Sequence, residues 1–373
     1  MIRVLQIVDS MGIGGIQVFI MNIYRNIDRK EIQFDFLIHR HSNESFEAEI
    51  QSLGGKIYIV PGRKEGIRKN KEGLKRFFSE HSEYACVHYH TNSLSYDEPL
   101  VAARNAGIPV RIIHSHSSNI GKNHKLIHMI NHLLHKRRIG KIATNYLSCG
   151  ELAGKWMFGG TNIEKHIRLI NNGIDVSQYS YSRIVREEVR NELDLSEKFV
   201  IFHVGRFDTV KNQAFLVDIF NLLIKHEPKA VLVLVGAGRQ FDEIREKVKV
   251  LDLEDKVRFL GIRNDVHRLL QAADRVVLPS LYEGFPVVAI EAQASGVPLI
   301  MSDTISPEVI KKSNCIRLSL NASIKEWVDQ ILLEKERIED NTELIKSGFD
   351  IATSVSQLVD LYKTGANNNC SSI

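Results

Sequence analysis

Cysteine is scarce. There are four in 373 residues, Cys86, Cys149, Cys315 and Cys370, with no paired spacing. That argues against a disulfide scaffold or a zinc site and fits reduced thiols in a cytoplasmic protein. No run approaches the roughly 20 apolar residues a membrane span needs. The start, MIRVLQIVDS, lacks a signal peptide's layout, because Asp9 interrupts the apolar run and no small-residue cleavage site follows. No Tyr-x3-Lys occurs, which removes short-chain dehydrogenase and epimerase chemistry, and no His/Cys/Asp group has metal-ligand spacing. What is present, 43% hydrophobic and 25% charged residues, is ordinary for a globular chain. At roughly 100–200 residues per domain, two domains are expected.

Acidic residues are missing altogether from Pro99 to Gly150, where Arg104, Arg111, Lys122, Lys125, Lys136, Arg137, Arg138 and Lys141 all fall. The overall charge of +4 hides this division. Cut after Asp175, the first part has 24 Lys+Arg against 16 Asp+Glu, and the remainder 25 against 29. Twelve of the 15 histidines also precede the cut. The first half expects an anionic partner.

Short β-rich runs alternate with helical ones. Ile2–Val8, Gln33–His39, Lys56–Val60, Ala85–His90, Val110–His114 and Asn145–Cys149 read as strands of a first series. Phe199–Val204, Ala230–Val235, Val257–Leu260, Arg275–Pro279 and Val297–Met301 read as strands of a second. This spacing predicts βαβ units and two doubly wound parallel sheets, an α/β fold of two Rossmann-like domains with a ligand cleft between them. The first domain is expected over residues 1–178 and the second over 179–349. A last helix, about 350–365, packs back on the first domain, and the tail Ala366–Ile373 reads as disordered.

The densest stretch is Ser280-Leu-Tyr-Glu283-Gly284-Phe285-Pro286, which runs into Val287-Val288-Ala-Ile-Glu291. A buried strand ends, a turn follows, and Pro286 stands where a first helical residue belongs. The N–H groups of Val287 and Val288 would be helix-start donors for a phosphate. Glu283 and Glu291 beside such a site suit a ligand with both phosphate and hydroxyls. The competing reading makes Glu283 a cap and Glu291 a solvated helix residue. A second loop, Gly205-Arg206-Phe207 with Lys211-Asn212, sets two cations at a strand end, enough to neutralise a diphosphate without a metal. A third, Gly236-Ala-Gly238, permits close approach of a ligand to the backbone.

These loops, with Gly261-Ile-Arg263-Asn-Asp265-Val and Glu283-x7-Glu291, resemble the retaining family-4 glycosyltransferases of the GT-B fold, and within them bacterial exopolysaccharide and capsule enzymes. The resemblance covers nearly the whole chain. It implies that Arg206 and Lys211 hold the donor diphosphate, that Glu291 binds the ribose and that Glu283 contacts the transferred sugar. Gly284, Phe285 and the following amides would line the pocket, and the segment at Arg263 would meet the base. In the first, acceptor-binding half, Gly14-Gly15 opens a helix against phosphates or acceptor, although Gln17 stands where a dinucleotide fingerprint wants a third glycine. A strand-end histidine, His114 in preference to His116, would point into the cleft and touch the sugar. The family's Gly-Gly after the Ser-Asp of the last strand is replaced by Thr304-Ile305, which leaves any contact made there in doubt.

No Asp-x-Asp occurs, so metal-free electrostatic catalysis is expected, with no metal and no cofactor beyond the nucleotide-sugar co-substrate. The expected partners are a nucleotide-sugar, a UDP-sugar in particular, and a polyprenyl-diphosphate-linked saccharide. The alternatives are a non-hydrogen-transferring nucleotide-sugar epimerase of similar fold or a non-catalytic sugar-nucleotide-binding subunit. Lys122–Lys141 mixes Leu126, Ile127, Ile130, Leu133 and Leu134 with cations. Either this stripe inserts into an anionic bilayer, placing the enzyme at the inner face of the plasma membrane, or it packs on the sheet. Nucleic acid is a poor partner, because no aromatics interleave with the charges.

Overall fold

The computed structural model describes residues 1–43, 45–117, 126–283 and 285–367. They form two compact units, Met1–Gly173 together with the segment from Ile351, and Ile174–Asp350. The first boundary lies five residues before the expected 178, so the short helix Val176–Tyr179 belongs to the second unit.

The first unit is built on seven parallel strands: β1 Ile2–Ile7, β2 Ile32–Ile38, β3 Ile57–Ile59, β4 Cys86–Thr91, β5 Val110–Ser115, β6 Asn145–Ser148 and β7 Ile167–Leu169. Their spatial order is β3-β2-β1-β4-β5-β6-β7. A sheet covered on both faces reads as continuous apolar sequence, and every residue of β2 is buried. The one charge in that strand, Asp35, is fully satisfied: Arg3 donates twice, at 2.8 and 2.6 Å, and Tyr84 OH donates at 2.8 Å. One face packs against the helices Gly15–Asn26 and Ile351–Asn367 through Phe19, Ile20, Leu358 and Tyr362. The other packs against Leu74, Phe78 and Leu100.

The second unit has six parallel strands: β8 Phe199–Val204, β9 Ala230–Val235, β10 Val257–Gly261, β11 Arg275–Leu278, β12 Leu299–Ser302 and β13 Cys315–Leu318. They are ordered β10-β9-β8-β11-β12-β13. In both units the order reverses beside the first strand of the series, which opens a crevice at the carboxyl ends of the strands. In the second unit that crevice is flanked by the loops after β8 and β11, the two loops carrying Arg206, Lys211 and Glu283.

The edge strands β7 and β13 were not among those expected from sequence. The final helix runs from Ile351 to Asn367, and Gly284, Lys122, Lys125 and most of the tail lie outside the described residues. No helix among the described residues is long and apolar enough to cross a membrane.

Candidate active site

The loop after β8 is tied to its neighbours through backbone. Gly205 N donates to Val235 O at 2.9 Å, and Phe207 N to Ala237 O at 2.9 Å. Gly236 (φ +134°) and Gly238 (φ +158°) stand so close that a Cβ would lie 2.2 Å from Gly205 O and 2.3 Å from Phe207 O. The close approach that these glycines permit is therefore made by the chain's own adjacent loop. At Gly205 a Cβ would come 3.3 Å from Cδ and Cε of Lys211, so this glycine leaves room for the lysine stem.

Asp208 closes the turn by accepting from Val210 N and Lys211 N at 3.1 and 3.3 Å. Asn212, in the left-handed region (φ +56°), starts the helix Gln213–Leu223 and donates to Pro279 O at 3.1 Å, which fastens the loop to the end of β11. Leu281 N donates to Val210 O at 2.7 Å and closes the same junction. As a result Lys211 Nζ sits 2.6 Å from Glu283 Oε1, and Ser280 Oγ donates to the same oxygen at 2.7 Å. Both side chains are largely buried. Because both bonds land on Oε1, Oε2 is the oxygen left to meet a ligand hydroxyl. Among the described residues the Arg206 side chain is held by Asp208 alone, at 3.0 Å, and it is 71% exposed, a guanidinium able to reach an anion.

Pro286 lies at the N-cap of the helix Val287–Ala294, one residue before the expected first helical position, so Val287 and Val288 are its first two residues. Their N–H groups have no acceptor within the helix. Phe285 contributes its backbone to this turn, while its ring stacks on Phe349, 5.5 Å between centroids and 21° between planes. Glu291 accepts from Tyr179 OH at 2.8 Å. Burial raises its carboxyl to about 6, partly offset by that donation. Tyr179, on the short helix that follows Asp175, was not foreseen. Nothing in its local sequence marks it, since 112 positions separate it from its partner. Arg263 follows β10 and forms a two-pronged pair with Asp265, both bonds 2.7 Å. A further unforeseen group is His203. It is buried under the β8 loop, paired through Nδ1 with Val277 O at 2.9 Å, and pushed down to about 4 by burial.

In the first unit Gly14 caps the helix Gly15–Asn26. A Cβ on Gly15 would meet nothing within 4 Å, so this loop is open to a ligand. Gln17, in the position of the missing third glycine, donates to Ser10 O at 2.8 Å and braces the loop.

The expectation for His114 is corrected. Residues 112, 114 and 116 share one face of β5, the face covered by the helix bearing Phe19, and His114 is completely buried there. Its Nδ1 lies 3.2 Å from His88 Nε2 and its ring meets Phe19 edge-on at 5.2 Å. Burial holds it well below the ordinary imidazole range. His116, just past the strand end, keeps 8% exposure, and its N–H donates to Thr91 O at 3.1 Å. Of the two, only His116 stands at the strand's carboxyl edge.

The two readings of the basic stripe are also separated. On the helix Leu126–Arg138 only His132 is buried, and Leu126, Ile127, Ile130, Leu133 and Leu134 are all exposed, Leu126 by 76%. The stripe does not pack on the sheet. Arg138 is clamped to Asp97 at 2.9 and 2.7 Å, and His132 stacks on Trp156 at 4.3 Å, which fixes the helix with its apolar side outward.

Comparison with known proteins identifies the family. Residues 185–348 match the family described as glycosyl transferases group 1, and residues 13–178 match glycosyltransferase family 4. EpsF of Bacillus subtilis (strain 168), named as a glycosyltransferase, is 35% identical, covering 96% of each chain. An Escherichia coli UDP-Gal:alpha-D-GlcNAc-diphosphoundecaprenol alpha-1,3-galactosyltransferase is 27% identical over 75% of each. Among solved structures, Anabaena Alr3699/HepE in complex with UDP and glucose superposes with a TM-score of 0.81 at 20% identity, covering 98% of this chain and all of that one.

Proposed function

The chain belongs to the group 1/family 4 glycosyltransferases and has their GT-B fold, and on that premise we propose that it transfers a sugar, with retention and without a metal, from a UDP-sugar to a lipid-diphosphate-linked saccharide in exopolysaccharide or capsule synthesis. The observation that carries this reading is the meeting of Lys211 and Glu283 at the switch point of the second unit, 2.6 Å apart, with Arg206 exposed beside them. The donor and acceptor classes are supported by the E. coli relative, whose name contains both.

The chemistry follows from the charges. As the bond from the sugar's anomeric carbon to phosphate oxygen breaks, negative charge grows on the diphosphate, where Arg206, Lys211 and the amides of Val287 and Val288 meet it. Glu283 accepts from a hydroxyl of the transferred sugar and Glu291 from the ribose, each stronger than a neutral acceptor. The acceptor hydroxyl oxygen bonds to the anomeric carbon on the face the diphosphate leaves, and its proton passes to the departing phosphate oxygen. The products are UDP and the extended saccharide.

The exposed apolar stripe of Leu126–Arg138, flanked by Arg137 and Arg138 in an acid-free stretch, supports docking on an anionic bilayer where such an acceptor resides. Two experiments test the reading. Transfer from UDP-sugars to a polyprenyl-diphosphate saccharide should be lost in Arg206→Ala and Glu291→Ala, and full turnover in both would sink the site assignment. Sedimentation with anionic vesicles should fall at least about tenfold in a Leu133→Ser/Leu134→Ser variant. Equal binding to anionic and neutral vesicles removes the membrane contact.

A further inference from the structure

The transfer chemistry leaves unused a group of histidines in the first unit. In sequence His88 and His90 look unrelated to His114 and His116. Parallel pairing sets His90 directly against His114, and the two-residue strand period turns all four rings to one face. All four are buried. One ring nitrogen from each of His88, His90 and His114 lies within 4.8 Å of the others. His88 Nε2 and His114 Nδ1 are 3.2 Å apart. Two nitrogens bound tetrahedrally at about 2.0–2.1 Å from one ion stand about 3.3 Å apart, so this pair already has the required spacing.

Two of the three outer nitrogens, those of His90 and His88, are braced as ligating imidazoles require. His90 Nε2 donates to Gln6 Oε1 at 2.8 Å, which puts the lone pair on Nδ1, and His88 Nδ1 meets Tyr362 OH at 2.8 Å. Hydrogen bonding alone does not complete the cluster: His114 Nε2 and His116 Nδ1 are buried without a partner among the described residues. We infer that His88, His90 and His114 form a transition-metal site that staples β4 and β5 beneath the helices bearing Phe19 and Tyr362.

Binding requires lone pairs on all three inner nitrogens. That of His90 Nδ1 accepts from His116 Nε2 at 2.9 Å, a bond that an ion would displace, with His116 then carrying its proton on Nδ1. Between His88 and His114 a single proton is shared, and one of the two rings changes tautomer, leaving His88 protonated on Nδ1 toward Tyr362 and His114 on Nε2. Every ring stays neutral and no proton is released. No carboxylate among the described residues bonds to these rings, so the ion must be one that imidazole alone binds well, and Zn²⁺, Co²⁺ and Cu⁺ are the probes.

The test uses tag-free, full-length protein refolded with each ion singly and gel-filtered before elemental analysis. About one ion per chain is expected, lost in His88→Gln and His114→Gln and kept in the exposed control His226→Gln. The Co²⁺ form of the wild type should show the intense visible bands of a low-coordinate site and a raised thermal midpoint. Should the histidine variants fail to fold, the wild type alone decides. Retention of none of the three ions, or retention without those bands and without a thermal shift, overturns the assignment.

Discussion

If Glu291 binds the ribose as proposed, nucleotide binding answers to pH by an amount that can be worked out. Its carboxyl sits at about 6 because burial disfavours the anion. With the ribose bound by the ionised form, the apparent Kd scales as about 1 + 10^(6−pH), which is about 1.1 at pH 7, about 2 at pH 6 and about 11 at pH 5. UDP should therefore bind about tenfold more weakly at pH 5 than at pH 7, a loss of about 1.4 kcal/mol. The terminal phosphate itself titrates near pH ~6, so a single profile is ambiguous. Isothermal titration of UDP on wild type and Glu291→Gln at pH 5, 6 and 7 removes the ambiguity, because glutamine retains only the ligand's titration. The wild-type advantage should shrink about tenfold from pH 7 to pH 5, and a constant ratio refutes the ribose assignment. The free protein responds with the opposite sign. An acid whose folded pKa of about 6 lies above its ordinary 4.5 holds its proton more tightly when folded. Its contribution is present below about pH 4.5 and lost as pH rises through 6, at most about 2 kcal/mol for a side chain that keeps some exposure. Urea midpoints of Glu291→Gln should not show this fall.

Lys211→Ala strips Glu283 of its cation and the leaving diphosphate of a donor, so kcat should fall about 10²–10³-fold, and an unchanged kcat argues against leaving-group stabilisation by this lysine. Arg206→Ala removes only an exposed pair with Asp208, worth about 0–1 kcal/mol, so the thermal midpoint should hold while the Kd for UDP rises about tenfold or more. A parallel loss of stability would mean that the arginine is structural. Gly236→Ala drives a Cβ against Gly205 O at a positive φ and should destabilise by at least about 2 kcal/mol in urea unfolding. A shift under about 0.5 kcal/mol would show that the two loops are not fastened as described.

What was legible in the sequence follows what each feature depends on. Central strands such as Ala230–Val235 announce themselves because both faces are covered and the run is wholly apolar. The edge strands Ile167–Leu169 and Cys315–Leu318 are short and half-exposed and leave no such run. That the loops after β8 and β11 end at one sheet edge was readable because glycine and cations at strand ends are local signals. Tyr179, by contrast, reaches Glu291 only through the fold, and the outward aspect of Leu126–Arg138 could not be told from an inward one by periodicity. His114 was misplaced for a similar reason: alternation assigns it a face, but only the covering helix decides whether that face is open or dry. His88 and His90 became significant only once strand register set them beside it.

The first unit takes its last element from the end of the chain, with Leu358, Leu361 and Tyr362 buried in its core. A nascent chain therefore delivers every residue of the second unit, Ile174–Asp350, before it can complete the first. Until that last helix is made, the part of the core it covers, with Phe34 and His88 under Tyr362, stays open on the growing first unit. Ending translation near residue 350 would leave a complete second unit attached to a first unit with that face bare, a species prone to aggregate.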